Sequence, residues 1–109
     1  MDFLFDAGRY THSLFFGHLY IEKICKALWI KNHKENTPPY IHNLLKILQG
    51  IETGLSDAQF VFLEQLNEYQ LSGRYPNYTE TLKKRTTKDL TLLYIDKINA
   101  ISSCLREKL

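Results

Sequence analysis

The chain is poor in the residues that most directly announce chemistry. Its 109 residues include two cysteines, three prolines and five glycines. Cys25 and Cys104 fall on apolar faces of predicted helices, in no spacing that suits a metal or a disulfide framework, so two buried thiols in a reducing compartment are expected. The formal charge of +2 is too small to argue for nucleic acid through bulk electrostatics. Met1-Asp2-Phe3 lacks a basic start, and no long apolar run follows, so no signal peptide is read. Nor does any stretch reach the roughly 20 uninterrupted apolar residues of a spanning helix, and a soluble, cytoplasmic protein is expected. Glycine-rich phosphate loops, His/Cys/Asp/Glu clusters at metal spacing and serine or cysteine nucleophile signatures are all missing, so neither metal nor cofactor is expected. Strand signals and fixed-period repeats are missing too.

What remains is helical. With 44% hydrophobic and 13% aromatic residues there is enough to bury one core, and the length fits a single domain over 1–109. The organising stretch runs from Tyr10 to Lys31 and contains no proline. At 100° per residue it shows a broad apolar arc of Leu14, Phe16, Tyr20, Ile21, Ile24, Cys25, Ala27, Leu28 and Trp29, wide enough for the middle of a bundle. The rest of the circumference interleaves Glu22, Lys23 and Lys26 with Phe15, Leu19 and Ile30. That strip reads as a solvated edge, a subunit interface or the wall of a polar cleft. Large apolar groups sharing a charged strip favour a homodimer through Phe15, Leu19 and Ile30.

Around this helix the chain divides plainly. Asp2 to Asp6 read as the last turns of a helix broken at Gly8, and the abrupt start points to an absent longer first helix. The polar run ending in Pro38-Pro39 stops the central helix near Asn32 to Lys34 and restarts another. The second helix has a core face of Ile41, Leu44, Leu45, Leu48 and Ile51, and is expected to end near Thr53. His42, at the margin of that face, is either a packed or capping side chain or a ligand-binding one. Ser56-Asp57 cap a third helix that buries Phe60, Phe62, Leu63, Leu66 and Tyr69. Pro76 biases Tyr75 towards extended angles, so Arg74-Tyr75 are presented from a loop. Thr79 to Arg85 form a short turn ending in a basic run that reads as a solvated face. Thr87 caps a last helix with a seam of Leu90, Leu93, Tyr94, Ile98, Ile101, Cys104 and Leu105. The fold class is all-α, an up-and-down antiparallel bundle of four to five helices.

Three pieces in order carry a resemblance: GRYTHSLFFGHLYIEKICKALW, with its EK..KAL core from Glu22 to Leu28; PPYIHNLLKIL; and RYP at 74–76. Together they resemble the HEPN family of small helical domains over nearly the whole chain. The resemblance implies a bundle of four or five helices that commonly dimerises. It also implies frequent pairing with a minimal nucleotidyltransferase, as in toxin–antitoxin or substrate-binding modules, and an association with nucleotide or RNA binding.

One departure bears on activity. The nuclease branch of that family carries an arginine, four to six residues, then a histidine. Here His12 is too near Arg9 and His18 too far, and no histidine follows Arg74, Arg85 or Arg106. Glu22, Lys23, Lys26, His42, Arg74 and Tyr75 match the family's recurrent polar positions. One reading makes them a shallow basic cleft for a nucleotide or another anion, with Arg74 and Lys26 as charge contacts and Tyr75 as a stacking face. The other makes Glu22 a partner of Arg74 or Lys26 that locks the loop onto the central helix. The function expected is a non-catalytic binding and interaction module. An atypical HEPN ribonuclease and a purely structural oligomerisation domain are the alternatives.

Overall fold

A computed structural model describes residues 10–33, 43–71 and 76–109. The expected pieces at Asp2 to Asp6, at Pro38 to His42 and at Arg74-Tyr75 lie outside these residues. Five helices are described: α1 (Tyr10–His33), α2 (Leu44–Leu48), α3 (Asp57–Leu71), α4 (Pro76–Arg85) and α5 (Lys88–Glu107). No strand occurs among the described residues, and no helix there is long and apolar enough to cross a membrane.

The Tyr10–Lys31 stretch is α1, and it touches all the other described helices. Its last turn is closed by its own side chains. Asn32 Nδ2 donates to the Leu28 carbonyl at 2.8 Å, and His33 Nδ1 meets the Trp29 carbonyl at 2.9 Å with its ring stacked on the indole. Both side chains fold back to carbonyls one turn earlier, which also take the helix's own N–H groups from Asn32 and His33.

The buried face of α1 is rotated from the expected arc. Leu14, Ile21, Cys25 and Leu28 are fully buried as expected, but the face continues through His18, Thr11 and Glu22. At the opposite margin Phe16 and Tyr20 are 48% and 37% exposed, and Ala27 is exposed as well. Hydropathy alone placed these three in the core. His18 and Glu22 could turn inward because His18 has Asn67 across the helix and Glu22 has Lys26 along it, which lowers the penalty of burial.

The second helix is shorter than expected. Asn43 has extended backbone angles, and its side chain accepts from the Leu45 N–H as an N-cap, so the described helix starts at Leu44. It ends at Leu48, not near Thr53, because Gln49 leaves helical angles and Gly50 takes a left-handed φ of +80°. Ile51 still reaches the core from non-helical backbone.

Ser56 and Gln59 form a reciprocal capping box at the start of α3, Ser56 Oγ accepting from Gln59 N–H at 3.2 Å and Gln59 Oε1 from Ser56 N–H at 2.9 Å. Phe62, Leu63, Leu66 and Tyr69 are buried and Phe60 half-buried, as expected. Helix α4 begins at Pro76, earlier than Thr79, with proline in the one turn where its missing N–H costs nothing. Beyond it Thr86 Oγ1 donates to the Leu82 carbonyl at 2.6 Å, so the Tyr69 hydroxyl is the donor to Thr86 Oγ1 at 3.0 Å. Thr87 caps α5 by accepting from Leu90 N–H. Ile98, Ile101 and Leu105 form the buried seam of α5 with Thr91 and Ser102, whereas Leu93, expected there, is 50% exposed. Phe62 meets Tyr94 edge-on while Ala58 faces Ala100 and Ile101, so α3 and α5 run antiparallel. Lys31 Nζ reaches the main-chain oxygens of Lys108 and Leu109 at 2.7 Å, holding the end of α5 to α1.

Candidate binding site

The charged strip of α1 divides between inside and outside. Glu22 is only 6% exposed, and Lys26 Nζ lies 3.5 Å from its Oε2. The four-residue spacing permits the pair, and burial makes each charge dependent on the other, since removing either leaves its partner uncompensated. Lys23 is exposed and takes no part in this pair. Phe15, Leu19 and Ile30 are half-buried along the edge beside Lys26. His42, Arg74 and Tyr75 lie outside the described residues. The structure therefore brings together Glu22 and Lys26 from the expected set.

Glu22 leads inward to residues the sequence reading did not select. His18 is fully buried, with Nδ1 3.9 Å from Glu22 Oε1 and Nε2 3.0 Å from Asn67 Oδ1 on α3. Asn67 Oδ1 also accepts from Leu44 N–H at 3.2 Å, and its Nδ2 donates to Asn43 Oδ1 at 3.1 Å. Asn43 Oδ1 in turn accepts from Leu45 N–H. These two backbone donors fix both amide orientations, since a flipped amide would set N–H against N–H. His18 Nε2 consequently carries a proton and donates to Asn67, which leaves Nδ1 turned towards the Glu22 carboxylate. A polar line thus runs Lys26–Glu22–His18–Asn67–Asn43, from the edge of α1 across α3 to the first turn of α2, hydrogen-bonded from His18 to Asn43 and held by charge proximity at 3.9 Å between Glu22 and His18.

The field of Glu22 is felt nearby. The Cys25 thiol is pushed up to about 12, first by burial and then by the Glu22 charge. Such a thiol stays protonated and unreactive at neutral pH. The Tyr69 and Tyr94 phenols are also pushed up, chiefly by burial.

A signal for Asn67 existed in the sequence. Asparagine is a poor helix former that competes for backbone partners, so its place between Leu66 and the buried Tyr69 in α3 calls for a reason. Asn43, directly before Leu44-Leu45, carries an N-cap signal that competes with the helix start at the prolines. Among the described residues no cluster of His, Cys, Asp and Glu is arranged to hold a metal ion.

Compared with known protein families, the chain matches a family model described as HEPN domain over residues 1–106. No curated protein and no solved structure matches the chain.

Proposed function

The chain belongs to the HEPN domain family, and we propose that it serves there as a non-catalytic binding and interaction module, the nucleotide- or substrate-binding partner of a minimal nucleotidyltransferase. The observation that carries this reading is the use made of His18 and Glu22. An imidazole and a carboxylate side by side on the central helix are the parts from which an acid–base pair would be built. Here the imidazole is fully buried and spent on Asn67, and the carboxylate is drawn in beside it with Lys26. The pair holds helices together and is out of reach of an RNA strand. The absence from the sequence of an arginine followed at the family's spacing by a histidine supports the same reading. We further propose a homodimer through the outer side and edge of α1, where Phe16 and Tyr20 are exposed and Phe15, Leu19 and Ile30 half-exposed.

Two measurements on purified protein test the proposal. A mixed RNA pool should remain intact; metal-independent cleavage that disappears in an Arg74→Ala variant establishes the ribonuclease alternative instead. Millimolar ATP or AMP should raise the melting temperature of the wild type, since a ligand that binds only the folded state stabilises it by mass action. Arg74→Ala should weaken that binding more than about tenfold, as expected from losing a charge-assisted hydrogen bond worth roughly 1.5–3 kcal/mol. Wild type unmoved by either nucleotide, with Arg74→Ala merely less stable, sinks the nucleotide-binding reading.

A further inference from the structure

Away from the polar line, α3 and α5 leave a depression between them of about 130 Å³, open to solvent on one side. Ala58 on α3 and Ala100 on α5 stand at its sides, and their small side chains are why the helices leave a gap there. The floor is Phe62 and Ile101, both almost completely buried. Phe62 is fixed edge-on against Tyr94 at 4.9 Å between ring centres, so the floor is preformed. Gln59 is held at the rim by the capping box.

The rim also carries a cation. Lys97 Nζ lies 5.4 Å from the centre of the Phe62 ring, over its face. Its neighbours one turn away on α5, Leu93, Tyr94, Ala100 and Ile101, include no acid, and among the described residues Lys97 forms no ion pair. An apolar floor with one convergent charge at the mouth has the composition of a small-ligand site.

Size narrows the ligand. Nucleotides and other drug-sized molecules occupy sites of about 300–1,000 Å³, well above this one. An enclosed cavity of about 150 Å³ takes a benzene ring, so this open depression of about 130 Å³ admits a group of that size with part of it left in solvent. We propose that the α3–α5 depression is a binding site for a small monocarboxylate carrying one ring or a branched aliphatic group, its apolar body on Phe62 and Ile101 and its carboxylate on Lys97. Binding in this depression does not rest on the nucleotide-binding reading.

Phenylacetate, benzyl alcohol and benzylamine are suitable probes, because they share a ring and differ in charge. Titrated into the isotopically labelled protein, phenylacetate should shift the amide signals of the Ala58–Phe62 and Lys97–Ile101 segments, with a dissociation constant of roughly 1 mM, as suits so few atoms. Lys97→Gln should weaken phenylacetate about tenfold and leave benzyl alcohol unchanged, since only the charge-assisted contact is removed. Ala100→Leu, at an exposed position where the added side chain fills the depression from the solvent side, should abolish binding of both with helical content intact. Ala58→Leu provides the same test from the other wall should Ala100→Leu lose structure. No shifts at tens of millimolar phenylacetate, shifts confined to other segments, equal binding of benzylamine, or indifference to Lys97→Gln would each overturn the proposal.

Discussion

Asn67 Oδ1 receives both the Nε2 proton of His18 and the main-chain N–H of Leu44. One side-chain oxygen on α3 therefore ties the central helix to the start of α2. Because α2 is only five residues long, its own hydrogen bonds cannot hold it, and its position depends on such outside contacts and on burial of Leu44, Ile47 and Leu48.

The first prediction follows from that bond. Asn67→Ala should strand two buried donors, and each costs about 1–3 kcal/mol when left without an acceptor. A loss of roughly 2–4 kcal/mol in denaturant unfolding is expected, which places this substitution in the severe class for a single change. Asn67→Asp keeps the acceptor and should lose less. Equal stability of wild type and Asn67→Ala would show that the polar line contributes nothing to the fold.

That line also marks where the sequence was legible and where it was not. The span and end of α1, the caps at Ser56 and Thr87, and the burial of Leu63, Leu66 and Ile98 follow from local signals: proline placement, side chains that replace backbone partners, and helical spacing. The orientation of α1 did not. A hydropathy projection counts Phe16 and Tyr20 as core and Glu22 and His18 as surface, because it sees neither Lys26 beside Glu22 nor Asn67 opposite His18. The latter partner is 49 positions away. Tertiary pairing decides which face turns inward when the apolar arc is broader than the available core. Leu93 shows the same limit on α5, since helical spacing alone does not say which flank of a wide stripe meets a neighbour.

The second prediction concerns alkaline stability. Cys25 has its folded pKa raised to about 12 from an ordinary 9.0. A raised value means that between these limits the native state holds a proton the unfolded chain has released, so stability falls as pH rises from about 9 to about 12. One proton corresponds to a slope of about 1.4 kcal/mol per pH unit. The Tyr69 and Tyr94 phenols shift in the same direction and add to the fall above pH 10.0. Cys25→Ala should flatten this limb by nearly one proton while costing some packing at neutral pH. A slope identical to wild type would mean that Cys25 titrates normally in the folded protein.

The last prediction tests the outer side of α1. Phe16 stands about 100° of helical turn from Phe15 and contacts it edge-on, with ring centres 5.7 Å apart. Tyr20 follows one turn later and accepts a hydrogen bond from Arg106 of α5 through its hydroxyl. Phe16 and Tyr20 flank the half-buried edge of Leu19 and Ile30 with the exposed Lys23 between them, so a partner helix covering both must also accommodate that charge at its rim. Phe16 and Tyr20 have under half of their surface left to bury, so covering them contributes roughly 1 kcal/mol each before the cost of association is subtracted. Sedimentation at tens of micromolar should therefore give a dimer mass for the wild type. Phe16→Asp, at a position with half its surface already in water, should give a monomer with unchanged helical content. Leu19→Asp should act in the same direction but also cost stability, because Leu19 is partly packed within its own chain. A monomer for the wild type at that concentration removes the interface outright. A dimer that survives both substitutions places the contact on another face and leaves the exposure of Phe16 to be explained by a different partner.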